Sequence, residues 1–346
     1  MEKVRTGVVG ASGYSGIELL RILLGHPGVD LAAVTSRQYA GKPVASVFPR
    51  FRSHPVAEAL AFTAPEPNEL ASLDIGFWFL ALPHGVAATY AVPLLEAGRR
   101  VIDLSADFRL REAAVYREFY DHDHPAPELL EEAVYGLPEA RAEEIRRARL
   151  VASPGCYPTS VLMPLLPVLR ARLVDPSSIV VASMSGVSGA GRKEAIPFLF
   201  CECNESVRAY SVPRHRHLSE IEQELSLAAG CAVRITFVPH LVPVTAGICT
   251  TITATAAPGV SVDSLGAALE AAYGQARFVR LLGPNRCPDT RQVTGTNFID
   301  IGWALDDRTG RVVLMSAEDN LGKGAASQAV QSFNLMAGHE ETCGLL

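Results

Sequence analysis

Apolar positions in the first 110 residues form short runs that alternate with stretches of helical spacing. Residues 4–9 (VRTGVV) read as an apolar strand, and residues 17–24 (IELLRILL) put apolar side chains on one helical face. Residues 31–35 read as a second strand and residues 75–82 (IGFWFLAL) as a strand buried on both faces. Residues 85–97 then read as a helix and 101–104 as another strand. Apolar strands alternating with helices belong to a parallel sheet covered on both faces. Residues 111–148 are charged and helical in character, with a proline-rich loop around Pro125 and Pro127.

The second half has a different texture. Residues 179–184, 233–238, 248–256 and 312–317 are rich in Val, Ile and Thr, which suggests a mixed or antiparallel sheet with a few helices. A last helix is expected over residues 325–336, after the glycines at 322 and 324. The change of pattern puts a domain boundary near residue 150: residues 1–150 form one domain and 151–319 another, with a C-terminal segment from about residue 320.

Composition narrows the class. The 346 residues are 48% hydrophobic with a net charge of -6, enough chain for two cores and no basic surface to recruit nucleic acid. No apolar run is long enough to span a bilayer, and the first nine residues are too short and polar for a secretory signal. Seven cysteines without framework spacing read as reduced thiols in a cytoplasm.

The first strand runs into GASGYSG, with Gly10, Gly13 and Gly16 before a helix. Ser12, Tyr14 and Ser15 fill the intervening positions. The spacing is a relative of the dinucleotide fingerprint, in which glycines let the backbone approach a pyrophosphate at a helix N-terminus. The second strand ends Thr35-Ser36-Arg37 with no acid at its tip, and Asp30 comes too early to reach a ribose. A hydroxyl and a guanidinium suit a 2′-phosphate, so the cofactor is read as NADP, held in part by Ser36 and Arg37.

Cys156 lies in VASPGCYPTSVLMPLLPVL, where Gly155 permits a turn and an apolar helix follows. Helix-terminal N–H groups favour a thiolate and offer donors to an oxyanion on a carbon bonded to that sulfur. In VPRHRHLSEIEQEL, His215 and His217 share a face if the segment is extended, and Ser219 with Glu222 fits a capping box. His217 is the expected acid–base, with Glu220 close enough to orient it. A zinc site on Cys201, Cys203, His215 and His217 is the rival, but C-x-C and H-x-H spacings suit the metal poorly. Two segments suit anions. SMSGVSGAGRK (183–193) combines glycines with Ser185, Gly186, Arg192 and Lys193, and DLSADFRL carries Arg109, suited to a bidentate phosphate grip. Which of them would hold a substrate phosphate stays open.

These segments together resemble the N-acetyl-gamma-glutamyl-phosphate reductase family of the aspartate-semialdehyde dehydrogenase-like group. GASGYSGIELLR, TSRQYAGK, LPHG, DLSADFR, SPGCYPT, SGVSGAGRK, HRHLSEIEQEL, PHLVPVTAG and DNLGKGAASQAVQ carry the likeness nearly end to end. The resemblance implies a Rossmann-type parallel-sheet domain and a second, α+β domain with a mixed sheet that carries catalysis and a subunit interface. The C-terminal helix would pack back on the nucleotide domain. It implies Cys156 as the acylated nucleophile, His217 as acid–base, His215 near the substrate, and Pro83, Ser188, Asn320 and Gly322 near NADP. The implied activity is NADPH-dependent reduction of N-acetyl-glutamyl 5-phosphate in arginine biosynthesis, by a cytoplasmic homo-oligomer, dimer or tetramer, with no metal. Two positions depart from the family's usual pattern: Ala246 stands where arginine is common, and Ser160 where Gly or Ala is. An aminoadipyl or carrier-linked acyl phosphate of lysine biosynthesis is the rival substrate. A non-catalytic NADP-binding redox sensor is the rival from another class.

Overall fold

A computed structural model describes residues 2–192 and 194–346. The chain divides into two compact units, one running up to Pro154 and including Ala325–Leu346, the other Gly155–Gly324. The first holds a six-stranded sheet of β1 (Val4–Val9), β2 (Val29–Val34), β3 (Phe77–Leu80), β4 (Arg100–Asp103), β5 (Val134–Tyr135) and β6 (Leu150–Ala152). All pairings are parallel, in the order β2-β1-β3-β4-β6-β5. Side chains alternate across it: Phe77 and Phe79 enter one core, Trp78 and Leu80 the other. Helices Tyr14–Gly25 and Ser327–Ala337 belong to the first side, and helix Ala87–Glu96 to the second. Phe333 of the C-terminal helix meets Phe77 edge-on, with ring centroids 5.2 Å apart. The charged stretch 111–148 forms helices Ala113–Tyr120 and Pro138–Arg147 but also the short β5 between them.

The second unit contains β7 (Val180–Ser185), β8 (Arg208–Ala209), β9 (Thr236–Leu241), β10 (Ile248–Thr255), β11 (Val279–Pro284), β12 (Ile299–Asp306) and β13 (Arg311–Glu318). They form one mixed sheet in the order β11-β12-β13-β10-β7-β9-β8. The strand expected over 233–238 begins three residues later. The N–H groups of Val233 and Ile235 are taken by Ser226 Oγ and Glu222 Oε1 of the helix before it. β11 and β12 escape a period-two reading because polar residues interrupt them, and those residues pair with each other: Arg280 Nε meets Asp300 Oδ1 at 2.5 Å.

Helix Cys156–Arg170 is buried at every position from Tyr157 to Leu169. A helix apolar all round belongs in the middle of a core. Hydroxyls fasten its first two turns to the sheet. Ser160 Oγ and Ser183 Oγ each lie 2.8 Å from Thr250 Oγ1, and Ser316 Oγ donates to Ser160 O at 2.6 Å. The departure at Ser160 therefore joins a buried polar chain across β7, β10 and β13.

Candidate active site

In the first unit the three loop glycines do three different things. Gly10 has φ +80°, and a Cβ there would stand 2.4 Å from Ala81 O beyond β3. A Cβ on Gly16 would strike the backbone of Ala11 and Gly10 at 2.6 Å, so that glycine lets the helix close on the turn. Gly13, the N-cap, would meet nothing nearer than Gly10 O at 3.9 Å, and no side chain caps the helix. The turn, the open cradle and the close packing are what a pyrophosphate-binding loop needs. Tyr14 begins the helix and is exposed, with Ser15 half-buried behind it. Ser12 Oγ is 2.9 Å from Ser36 Oγ, and Gly10 N–H donates to Thr35 Oγ1, tying the loop to the tip of β2. Arg37 follows, exposed, and Pro83 is exposed in the loop after β3. These residues fit a dinucleotide with a free cation at its 2′ end.

Arg109 also lies in this unit. Its Nε donates to Ser153 O and its Nη2 to Leu104 O, and the residue is buried. Two of the guanidinium nitrogens thus brace main chain. Nearby, burial and then the charge of Asp107 push the Asp103 carboxyl well above the usual range. Asp107 itself accepts from Gly85 N, Ala88 N and Tyr116 Oη, holding the loop that follows Pro83.

In the second unit Cys156 is the first residue of its helix, with Gly155 as N-cap and no side-chain cap. Pro158 has no N–H, and Thr159 N–H donates to Gly155 O, so Cys156 and Tyr157 supply the helix-end donors. Glu220 Oε1 accepts from Gly155 N–H at 2.9 Å, joining the nucleophile's turn to helix His217–Ala229. The His217 ring packs on Tyr157 at 6.0 Å and on His215 at 4.9 Å.

The expected capping box does not form. The helix already starts at His217, Ser219 Oγ turns back to Arg216 O, and Glu222 pairs with Arg234. Nor do the two histidines share an extended face, since His217 is helical and its N–H donates to His215 Nδ1. That bond puts the His215 proton on Nε2, and burial, followed by Arg216, pushes its pKa down to about 4. His215 is thus a neutral cap beneath His217. Tyr210 Oη donates to Tyr157 Oη at 2.9 Å; burial first, and Cys156 among the lesser causes, push its pKa up to about 12.

The glycine- and serine-rich loop after β7 makes backbone bonds of its own. The N–H groups of Gly186, Val187 and Ser188 donate to Gly247 O, Val244 O and Thr245 O, and those of Gly189 and Gly191 turn inward on the loop. These five N–H groups are paired with backbone. A Cβ on Gly186 would stand 2.8 Å from Ala246 N, so Ala246 lies in the wall of this loop. Ser185 Oγ is buried and bonds Gly186 O, while Arg192 is exposed and Lys193 lies outside the described residues. Ser188 and Asn320 do come together: Asn320 Nδ2 donates to Ser188 Oγ at 2.9 Å, and its Oδ1 accepts from Gly247 N–H. Gly322 N–H donates to Asp319 Oδ1, closing the turn after β13. Cys203 turns its thiol to Pro197 O, Cys201 is exposed, and among the described residues no three His, Cys, Asp or Glu are grouped to hold a metal.

The sequence reading places Gly324 in the segment 320–324 on the nicotinamide side but not beside Cys156. A Cβ on Gly324 would stand 2.8 Å from Cys156 Cβ and 2.9 Å from Glu318 Oε1. Only the position of Cys156 in space reveals this need.

Two family models match in succession: the semialdehyde dehydrogenase NAD binding domain over residues 5–148, and the semialdehyde dehydrogenase dimerisation domain over residues 156–320. The N-acetyl-gamma-glutamyl-phosphate reductase of Akkermansia muciniphila is 61% identical, covering 100% of this chain and 99% of its own. That of Geobacter metallireducens is 51% identical over 99% of this chain and 98% of its own. Among solved structures, aspartate semialdehyde dehydrogenase II of Vibrio cholerae, complexed with ASA, has a TM-score of 0.72 at 19% identity, covering 98% of this chain and 99% of that one. The Candida albicans enzyme with NADP gives 0.73 at 15%, covering 97% and 99%. At these identities the structural likeness speaks for the fold. Whole-length identity to the reductases speaks for more: the chain belongs to the N-acetyl-gamma-glutamyl-phosphate reductase family within the semialdehyde dehydrogenases.

Proposed function

We propose that the chain reduces N-acetyl-L-glutamyl 5-phosphate to N-acetyl-L-glutamate 5-semialdehyde with NADPH, in arginine biosynthesis. The observation that carries this reading is Cys156 at a helix N-terminus with His217 and Glu220 on the helix docked beside it. His217 takes the thiol proton, and the Cys156 thiolate attacks the acyl carbon. The carbon–oxygen bond to phosphate breaks, leaving a thioester on Cys156. The helix-end N–H groups of Cys156 and Tyr157 face the oxygen that becomes negative in each tetrahedral stage. NADPH, when bound, supplies the hydride for the thioester carbon. The thiohemiacetal on Cys156 then collapses, with His217 assisting, and returns the thiolate as the aldehyde leaves. Glu220 is a positioning residue in this scheme, since its Oε1 anchors Gly155. His215 supports His217 rather than the substrate. Gly10, Ser12, Gly13, Tyr14, Ser15, Gly16, Ser36, Arg37 and Pro83 are assigned to the dinucleotide; Ser188, Asn320 and Gly322 are assigned to its nicotinamide end by family resemblance.

The same reading makes the protein a cytoplasmic homo-oligomer. All seven cysteines are free thiols, and no helix among the described residues is long and apolar enough to cross a membrane. The second unit exposes Val180, Met184, Ile196, Leu199 and Phe200, an apolar set suited to a second copy. Light scattering would measure the assembly.

The deciding assay runs in reverse, with the semialdehyde, phosphate and NADP. Phosphate-dependent NADPH formation that disappears in Cys156→Ser, with NADP binding retained, supports the reading. His217→Asn should be slower by about 10²–10⁴-fold. Normal turnover in Cys156→Ser would sink it.

A further inference from the structure

One buried acid beside the nucleophile has no part in the scheme above. Glu318 ends β13 and is fully buried (0% exposed). Its partners across the sheet are Ile248 in β10 and Ile299 in β12, both equally buried. A single carbon at Gly324 would touch both Cys156 Cβ, at 2.8 Å, and Glu318 Oε1, at 2.9 Å. The Cys156 side chain and the Glu318 carboxyl therefore both border the small space that Gly324 leaves open. Two acids this close in a dry setting do not readily both ionise; they share their protons and titrate together.

We propose that Glu318 and Cys156 form one coupled acid pair. Glu318 keeps its proton while Cys156 is thiolate, and releases it once the sulfur is acylated and neutral. Glu318 thereby sets the pH at which the nucleophile becomes available. The coupling itself is independent of the substrate; only its catalytic meaning rests on the reductase reading. Other ionisable groups surround the pair. His217 and Glu220 come from the neighbouring helix, Tyr157 and Tyr210 flank the thiol, and Asp319 and the buried Lys323 follow β13. Asp319 is occupied by the N–H groups of Gly295, Leu321 and Gly322.

The test is the pH dependence of Cys156 alkylation by iodoacetamide. It is read from the mass of the Cys156 peptide because Cys201, Cys231 and Cys287 are more exposed than Cys156. Glu318→Leu, which takes away the shared proton, should move thiolate formation to higher pH by about one unit or more, and Glu318→Gln, which still carries an N–H donor, by less. Ile299→Val, which changes only packing beside Glu318, should keep the wild-type midpoint. In wild-type protein, alkylating Cys156 should also remove the infrared band of a protonated carboxyl. An unchanged midpoint in a folded Glu318 variant overturns the proposal. If neither variant folds, an unchanged carboxyl band in the wild type overturns it. Alkylation needs no substrate, so failure of the reductase assay leaves this result standing on its own.

Discussion

Replacing Gly324 by alanine tests the geometry around the nucleophile most directly. The new methyl would lie 2.8 Å from Cys156 Cβ, 2.9 Å from Glu318 Oε1 and 3.1 Å from Cys156 Cα. Carbon–carbon contacts relax to about 3.5–4.0 Å, so something must retreat by roughly half an ångström to an ångström. The helix carrying Cys156 is buried from Tyr157 to Leu169 and pinned through Ser160, so its retreat strains the core. Overpacking of this kind costs about 1–3 kcal/mol. The thermal midpoint should fall by several degrees, at roughly 2–4 °C per kcal/mol for a domain of this size. Displacement of the sulfur by about an ångström should lower kcat by about 100-fold, with NADPH affinity unchanged. Steady-state kinetics, nucleotide titration and thermal unfolding on the same preparation separate these effects. Full kcat and wild-type stability in Gly324→Ala would refute the claim that glycine is there to make room for Cys156.

Three further outcomes follow from the fold. Gly13→Ala meets open space, so stability should change little while the Kd for NADPH rises; unchanged nucleotide affinity would remove Gly13 from the cradle. Arg109→Gln should lower stability by about 1–3 kcal/mol for each buried carbonyl left without its donor, with little change in phosphate KM in the reverse reaction. A large KM effect at normal stability would restore Arg109 as the phosphate grip. His215 gives a pH signature: its pKa of about 4 in the fold lies below the ordinary 6.5, so the unfolded chain binds the extra proton first. Stability present above pH 6.5 is lost as pH falls toward 4, by about 3 kcal/mol in all. Denaturant unfolding at pH 7 and pH 5 should show this slope in wild type and a shallower one in His215→Gln.

What was legible in the chain was whatever local chemistry dictates. Gly10, Gly13 and Gly16 announce themselves because no other residue permits the turn, the approach and the packing together. Cys156 is visible because a glycine and an apolar helix flank it. The capping box misled because Ser-x-x-Glu also occurs inside a helix. Its members were claimed by Arg216 behind and by Arg234 and Ile235 ahead. The loop at 186–191 has the composition of an anion nest, yet three of its donors go to residues 244–247, a partner no local pattern contains. Ser160 looked like a minor departure until Thr250 and Ser183 arrived beside it from two other strands. Distance along the chain, rather than weak chemistry, hid these roles.

The first unit is built from both ends of the described chain, and this has a consequence for how the protein is made. Phe77 and Phe79 share their core with Ala326, Ala329, Val330 and Phe333. On the ribosome, helix Tyr14–Gly25 is available to that face early, but the whole of Gly155–Gly324 must be translated before the C-terminal helix completes its cover. Gly155–Gly324 contributes all its own strands without that delay. During synthesis the half made first is therefore completed last, and its half-covered sheet face is where a nascent-chain chaperone would be needed.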